Sequence, residues 1–272
     1  MRARDNVIQT FAASRQEGSV DDIRQSVREG RWDCPTAGLA LGYVQANVVI
    51  LPAAAAFDFL LFSVRNPKAC PILEVFDVGS PFSKLMAPGA DIRTDVPRYC
   101  IYRDGELVDE TIEISDYWQE DFVTFLLGCG YSTDSLLLAA GVNLRNIDEN
   151  RREAMFVSNI ACATAGRFAG PLVVSMRPLS GEDAIRATVL TSRLPEFHGA
   201  PVHIGDPRAI GISDIGAPDY GEPEQLKEGE VPVFWACGVT PQAVAVESKV
   251  QLMITHSAGH MFITSKKETE YA

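Results

Sequence analysis

The sequence predicts an α/β fold in two lobes. A three-layer α/β/α domain is expected from residues 1–100 together with 196–272, and a smaller two-layer α+β domain, residues 101–195, is inserted into it. Three observations carry this reading. Short β-type runs recur in the last third, at residues 202–204, 231–235, 252–256 and 261–264. One of them leads into a helix start, with Thr240 as the cap and Pro241 at the first helical position; strand–turn–helix units of this kind build a mostly parallel sheet covered by helices. The middle of the chain instead carries Asp104-Gly105 between two strand-like runs, the strongest short-range hairpin signal present.

The elements follow in order. Ser19, with Asp22 three residues on, predicts a capped helix that Gly30 closes. Residues 48–51 and 71–75 read as short, fully buried strands, and 53–64 between them as a helix with a strongly apolar face. The stretch 81–97 is loop, and 98–103 with 106–110 form the hairpin. Helices are expected at 118–127, with Phe122, Phe125 and Leu126 on one face, and at 133–140, stopped by Gly141. Strands at 155–160 and 171–176 precede a helix that Ser180 and Asp183 cap and that ends near residue 193. Residues after Thr264 read as a tail.

Composition bounds the function. At 272 residues, 46% of them hydrophobic and 22% charged, the chain can bury a core without metal or disulfide support. A net charge of −12 argues against nucleic acid or anionic membrane as a partner. An acidic small molecule stays open, because a local arginine outweighs the global sign. The six cysteines show no paired spacing, so neither a zinc cage nor a disulfide framework is indicated. The apolar run 46–57 is too short to span a bilayer, and the arginines near the start are mixed with acidic residues, unlike a transit peptide. The expected setting is a reducing cytoplasm, with a homo-oligomer left open.

Candidate chemistry concentrates late in the chain. All four histidines lie between residues 198 and 260, and His203, His256 and His260 fall at or just beyond predicted strand ends, where ligands bind in open α/β sheets. His256 and His260 have the spacing of a helical zinc pair. Gly259 makes that stretch a turn, so no metal ligand is assigned, no cofactor is called for, and a divalent metal is the minority alternative. Cys237, between a strand and a helix start, would feel the helix N-terminus and be activated, or be a small buried residue. Arg167, flanked by small residues with no acidic neighbour, suits a substrate carboxylate, with Arg93 a weaker version. Asp206 before Pro207 reads as a cap or a ligand contact. Gln45 and Asn47 lead polar amides into a buried strand, where they present them to a ligand or are satisfied strand-edge groups; Gly205 permits close approach of backbone to ligand, and Gly238 follows Cys237 in its turn. No dinucleotide fingerprint, Walker loop or Gly-x-Ser-x-Gly elbow is present.

Several blocks together resemble a known family: GLALGYVQAN at 38–47, RNPKACP at 65–71, PGADIRTD at 88–95, GPLVVSMRP at 170–178, HGAPVHIGDP at 198–207, VPVFWACGVTPQ at 231–242 and THSAGHMF at 255–262. They are similar to the bacterial hydro-lyase family whose animal relative is the mitochondrial D-glutamate cyclase. Leu41 and Ala258 stand where the family pattern has proline. The resemblance implies a lyase of amino acid metabolism acting on a small carboxylate, with closure of D-glutamate to 5-oxo-D-proline as the specific reaction. A scheme that fits the residues has His203 or His256 take the ammonium proton, His260 protonate the departing oxygen, and Arg167 hold the α-carboxylate, with backbone amides near Gly238 as oxyanion donors. The alternatives are a non-catalytic carboxylate-binding protein and a metal-dependent hydrolase.

Overall fold

Residues 18–149 and 151–271 are described by the structure, a computed structural model. Most of the segment read as lacking a leader, residues 1–17, lies outside them. The fold is mixed α/β, with two sheets and several helices.

The larger sheet is built on β1 (Tyr43–Pro52), whose residues 44–51 are all buried. Along one edge β1 pairs with β5 (Phe122–Gly128), from Ala46 opposite Gly128 to Pro52 opposite Phe122, and β2 (Ile72–Val75) lies beyond. Along its other edge it pairs first with β10 (Leu252–His256) and then with β11 (Phe262–Lys267). Val49 faces Thr255 while Ala46 faces Phe262, so three steps along β1 match seven along its partner. β10 and β11 are thus two halves of one edge partner, split by an excursion at 257–261. β10 also pairs with β3 (Tyr99–Arg103), and β3 with β4 (Glu106–Thr111). Asp104 and Gly105 turn that hairpin with φ of 50° and 84°, the left-handed pair a two-residue loop requires.

The smaller sheet has the order β6 (Ala154–Ala161), β7 (Pro171–Ser180), β9 (Glu230–Ala236), β8 (His203–Ile204). Strands of the larger sheet thus come from either side of residue 101, and those of the smaller from either side of residue 196. Every strand pairing is antiparallel, which corrects the expectation of a mostly parallel sheet. The one strand–turn–helix unit behind that expectation, β9 into α6 (Thr240–Glu247), does not return to a strand beside β9; the chain crosses to β10 in the other sheet. Thr240 is also the first helical residue, with Val239 as the cap and no side-chain cap bond. Its hydroxyl donates to the Cys237 carbonyl at 2.7 Å and accepts from the Val173 amide at 3.1 Å, tying β7 to the turn.

The helix expected at 118–127 is a second correction, because its latter half is β5. That strand is buried on both faces, with Val123, Phe125 and Leu127 in one apolar cluster and Phe122 and Leu126 in another. A strand covered on both faces has no polar alternate, so its sequence has no period to distinguish it from a buried helix. The tail read after Thr264 is ordered too: β11 continues to Lys267, and a 3-10 turn covers Glu268–Glu270. The other helices form as expected. α1 (Val20–Arg28) has the reciprocal Ser19–Asp22 capping box, α2 (Ala53–Arg65) follows β1 directly, α3 (Asp134–Ala139) stops before Gly141, and α5 (Gly181–Thr191) starts on the Ser180 cap. A short α4 (Arg145–Asp148) lies between α3 and β6. No helix among the described residues is long and apolar enough to cross a membrane.

The two sheets share a core. Val49, Leu51, Phe125 and Met253 of the larger sheet meet Phe156, Val174, Met176 and Phe234 of the smaller, with Phe59 and Phe62 of α2 and Val244 of α6 filling the flanks. The outer face of the larger sheet is covered by the 76–96 loop, which the buried Glu74 carboxylate organises by accepting from the amides of Lys84, Leu85 and Met86 and the Ser83 hydroxyl. The outer face of the smaller sheet is covered by α3, α4 and α5. Polar side chains gather on that face.

Candidate active site

Strand alternation places them. On β7, Val174 and Met176 enter the inter-sheet core, so Ser175 and Arg177 point the other way. On β6 and the residue before it, Ala154 and Phe156 are core while Glu153 and Met155 face outward; on β9, Phe234 is core and Trp235 faces outward. These outward residues wall a cavity. Its remaining sides come from Asn47, the 129–133 segment after β5, His198, the turn Cys237–Gly238–Val239, and Gly259 and Met261 of the excursion in the β1 partner. The cavity is compact, so its ligand is small.

Arg177 is the centre of the charged wall. Its Nε donates to Glu153 Oε1 at 2.5 Å and its Nη2 to Asp134 Oδ1 at 2.8 Å, and the guanidinium carbon lies 5.9 Å from the Trp235 ring centroid. Nη1 has no protein partner among the described residues and is not sealed from the cavity. Burial works against the Arg177 charge, but Glu153 and Asp134 outweigh it and hold the guanidinium protonated. Burial likewise pushes the Asp134 carboxyl up to about 7, against the pull of Arg177. Its Oδ2 is buried without a partner.

His198 forms another wall. It has φ of 73° and is 2% exposed. Its Nδ1 lies 2.8 Å from the Lys68 carbonyl, which makes Nδ1 the protonated nitrogen and leaves a lone pair on Nε2. Asn47 Nδ2 donates to the Gly128 carbonyl at 2.6 Å. Its amide occupies the space beside Gly238, where a β-carbon would lie 2.0 Å from Nδ2. Burial pushes the Cys237 thiol up to about 12, so the activation expected from the helix N-terminus does not occur. The helix N-terminus competes here with desolvation of a half-buried thiolate, and desolvation wins.

Of the residues singled out from sequence, Asn47, Cys237 and Gly238 share this cavity. Gln45 is buried outside its walls, its amide nitrogen donating to the Thr36 and Leu39 carbonyls. His256 is enclosed in the sheet, with Nδ1 accepting from the Val48 amide at 3.1 Å. His260 Nδ1 pairs with the Ala258 carbonyl at 3.0 Å within the excursion. His203 sits at the sheet edge against the Asp206 carbonyl, and Asp206 caps the following turn and pairs with Arg208. Arg93 is bound to Asp91, and Arg167 is exposed on the tight turn between β6 and β7. The burial that closes off His256 and His260 also lowers both to about 4. Among the described residues no group of three His, Cys, Asp or Glu is disposed to hold a metal ion.

Arg177, Glu153 and Asp134 are not among the residues singled out from sequence, and His198 is there only as one of the four late histidines, with no role of its own. One signal was present: Ser175 and Arg177 are polar alternates in an otherwise apolar strand, which is how a strand presents chemistry on one face.

Comparison with known proteins places the chain. A family profile described as D-glutamate cyclase matches residues 123–265. This chain belongs to the D-glutamate cyclase family. The matched span contains Asp134, Glu153, Arg177, His198 and Gly238, leaving Asn47 as the cavity residue discussed here that lies before it. Three bacterial members carry the name "Putative hydro-lyase". The Thermoanaerobacter pseudethanolicus protein is 57% identical over 247 residues, 91% of this chain and 93% of its own. That of Stutzerimonas stutzeri is 55% identical over 248 residues, 91% and 94%, and that of Geobacillus kaustophilus 53% identical over 261 residues, 96% and 98%. Among solved structures, a nitrogen repressor-like protein from Methanococcus jannaschii overlays with a TM-score of 0.37 at 10% identity, covering 83% of this chain and 88% of that one. With its family, this D-glutamate cyclase homologue is an enzyme of the carbon–oxygen lyase class.

Proposed function

We propose that the cavity around Arg177 binds a small carboxylate metabolite and removes water from it, with closure of D-glutamate to 5-oxo-D-proline as the reaction that fits best. The observation that carries this reading is the guanidinium itself. It is buried and held protonated by two carboxylates, and it keeps Nη1 free for a third. Arginine in that state is a preset carboxylate anchor.

The chemistry can be balanced on the residues present. In ring closure the substrate nitrogen forms a bond to the side-chain carboxyl carbon, one C–O bond breaks, and the nitrogen surrenders two protons. The departing oxygen leaves with both as water. The site therefore has to move protons from nitrogen to oxygen, and no electron acceptor enters. Glu153, on the cavity wall beside Arg177, is the carboxylate placed to take a proton from the substrate nitrogen and pass it to the leaving oxygen. Asn47 and the turn at Gly238 also border the cavity and would hold the oxygen of the tetrahedral intermediate. Plain dehydration of a hydroxy acid would use the same parts on a C–H proton.

The test is proton NMR of the purified enzyme with D-glutamate, L-glutamate and a panel of small hydroxy acids, with and without divalent metal. The reading expects 5-oxo-D-proline from the D isomer. An alkene product from a hydroxy acid would keep the site and replace the substrate. No turnover of any panel member would contradict the reading.

A further inference from the structure

We propose that His198 is a further catalytic residue of this cavity, its Nε2 accepting the proton that leaves the substrate nitrogen or, in plain dehydration, the substrate carbon. The inference rests on the dehydration reading above and adds the base for the proton that Glu153 does not carry.

His198 closes the turn Pro195–Phe197 in the left-handed conformation, which is sterically disfavoured for a non-glycine residue. Gly199 beside it has the same sign of φ, at 64°. A corner with two such residues persists because it is braced: the Lys68 ammonium reaches the carbonyls of both His198 and Ala200. The side chain is fixed as firmly. Nδ1 donates to the Lys68 carbonyl at 2.8 Å, so backbone from residue 68 selects the tautomer. The ring is buried and on the cavity wall. Nε2 meets no protein partner among the described residues and keeps accessible surface. A histidine whose one nitrogen donates to a carbonyl while the other is open to a ligand cavity has the geometry of a general base.

Its surroundings define its role. Burial lowers the imidazole to about 4, with the nearby Lys68 charge acting in the same direction, so the ring is neutral at physiological pH and accepts rather than donates. Arg177 fixes the carboxylate and Glu153 serves the departing oxygen, which leaves the other proton transfer to His198. As the new bond forms, Nε2 takes one of the two nitrogen protons and afterwards releases it toward the leaving oxygen, while the other passes through Glu153 to the same oxygen. Imidazole and carboxylate both end as they began, with no net charge left in the site.

Two substitutions keep the corner while removing the base. Asparagine is the side chain, after glycine, best suited to left-handed backbone, and glycine meets no strain there at all. His198→Asn and His198→Gly are therefore expected to keep the fold, checked by circular dichroism, while kcat falls about 10²- to 10⁴-fold. Added imidazoles are expected to restore part of the loss in His198→Gly, more strongly for the more basic ones, a response that a merely structural histidine would not give. Wild-type kcat in either variant, or a loss in folded His198→Gly that no imidazole relieves, would overturn the proposal. A separate arm is spectroscopic: ring ¹⁵N NMR should find His198 neutral as the Nδ1–H tautomer, with the Nε2 resonance moving on addition of D-glutamate, or of the hydroxy acid if that is what the enzyme turns over, but not of glutarate, which has neither nitrogen nor hydroxyl. The opposite tautomer, or an unmoved Nε2, would overturn it as well. Failure of the dehydration reading shows up separately, as a wild-type enzyme that turns over nothing.

Discussion

The Val48 amide donates to His256 Nδ1 at 3.1 Å, across the gap where the edge partner of β1 leaves the ladder. An imidazole stands in for the missing strand carbonyl. The side chain thereby satisfies a backbone donor that the 257–261 excursion would otherwise leave orphaned inside a sheet.

That placement makes His256 an acid-sensitive part of the fold. Burial lowers it to about 4 from an ordinary 6.5. A group with a depressed folded pKa adds stability that is complete above its unfolded value and lost as pH falls through the folded one. Between pH 6.5 and 4 the contribution lost is roughly 3 kcal/mol. The stability difference between wild type and His256→Asn, measured by urea titration at a series of pH values, should shrink across that window. A pH-independent difference would show that the ring does not titrate between these states.

Gly238 should tolerate no side chain. A β-carbon there would lie 2.0 Å from Asn47 Nδ2 and 2.1 Å from Cγ. Gly238→Ala is expected to destabilise by about 1–3 kcal/mol through overpacking and to displace the Asn47 amide from the Gly128 carbonyl. Adding Asn47→Ala should relieve much of the destabilisation without restoring activity. Melting curves and turnover on the single and double variants check both halves.

Arg177 should separate stability from binding. Arg177→Met leaves Asp134 and Glu153 buried without their partner, which is expected to destabilise by about 3–5 kcal/mol. Arg177→Lys keeps the charge but loses the fork, and a lost hydrogen bond to a charged group predicts a fall in kcat/KM of about 10- to 100-fold. Steady-state kinetics of the lysine variant and chemical unfolding of both decide this.

Residues outside the cavity should be silent. His203, Arg167, Asp206 and Arg93 are engaged at the surface or in the 76–96 loop. Alanine at His203 or Arg167 is expected to leave kcat and KM within about two-fold, since surface changes away from such features stay within roughly 0.5 kcal/mol. A hundredfold loss at either would move the active site away from Arg177.

Much of the fold was legible in the sequence. The Ser19 and Ser180 caps, the Asp104-Gly105 hairpin and the runs that became β1, β6, β7, β9 and β10 carry their signals locally. β5 did not, because burial on both faces erases the alternation that marks a strand. Strand direction did not either, since it depends on where each connection returns and not on the residues within the strand. Asn47, Cys237 and Gly238 were legible as cavity residues because each interrupts an apolar run or a turn. Arg177 and Glu153 were hidden by their own neutralisation. Each looks like an ordinary charged residue until the fold brings the two together with Asp134 below the surface.

The most direct test of the account is the rate of the Glu153→Gln enzyme on the substrate identified by NMR. Glutamine keeps the size of the side chain and can still accept from Arg177 Nε, but it cannot hand on a proton. The account predicts a folded protein with kcat lowered about 10²- to 10⁴-fold and KM little changed. A folded Glu153→Gln enzyme with wild-type kcat would contradict the claim that the reaction runs in this cavity.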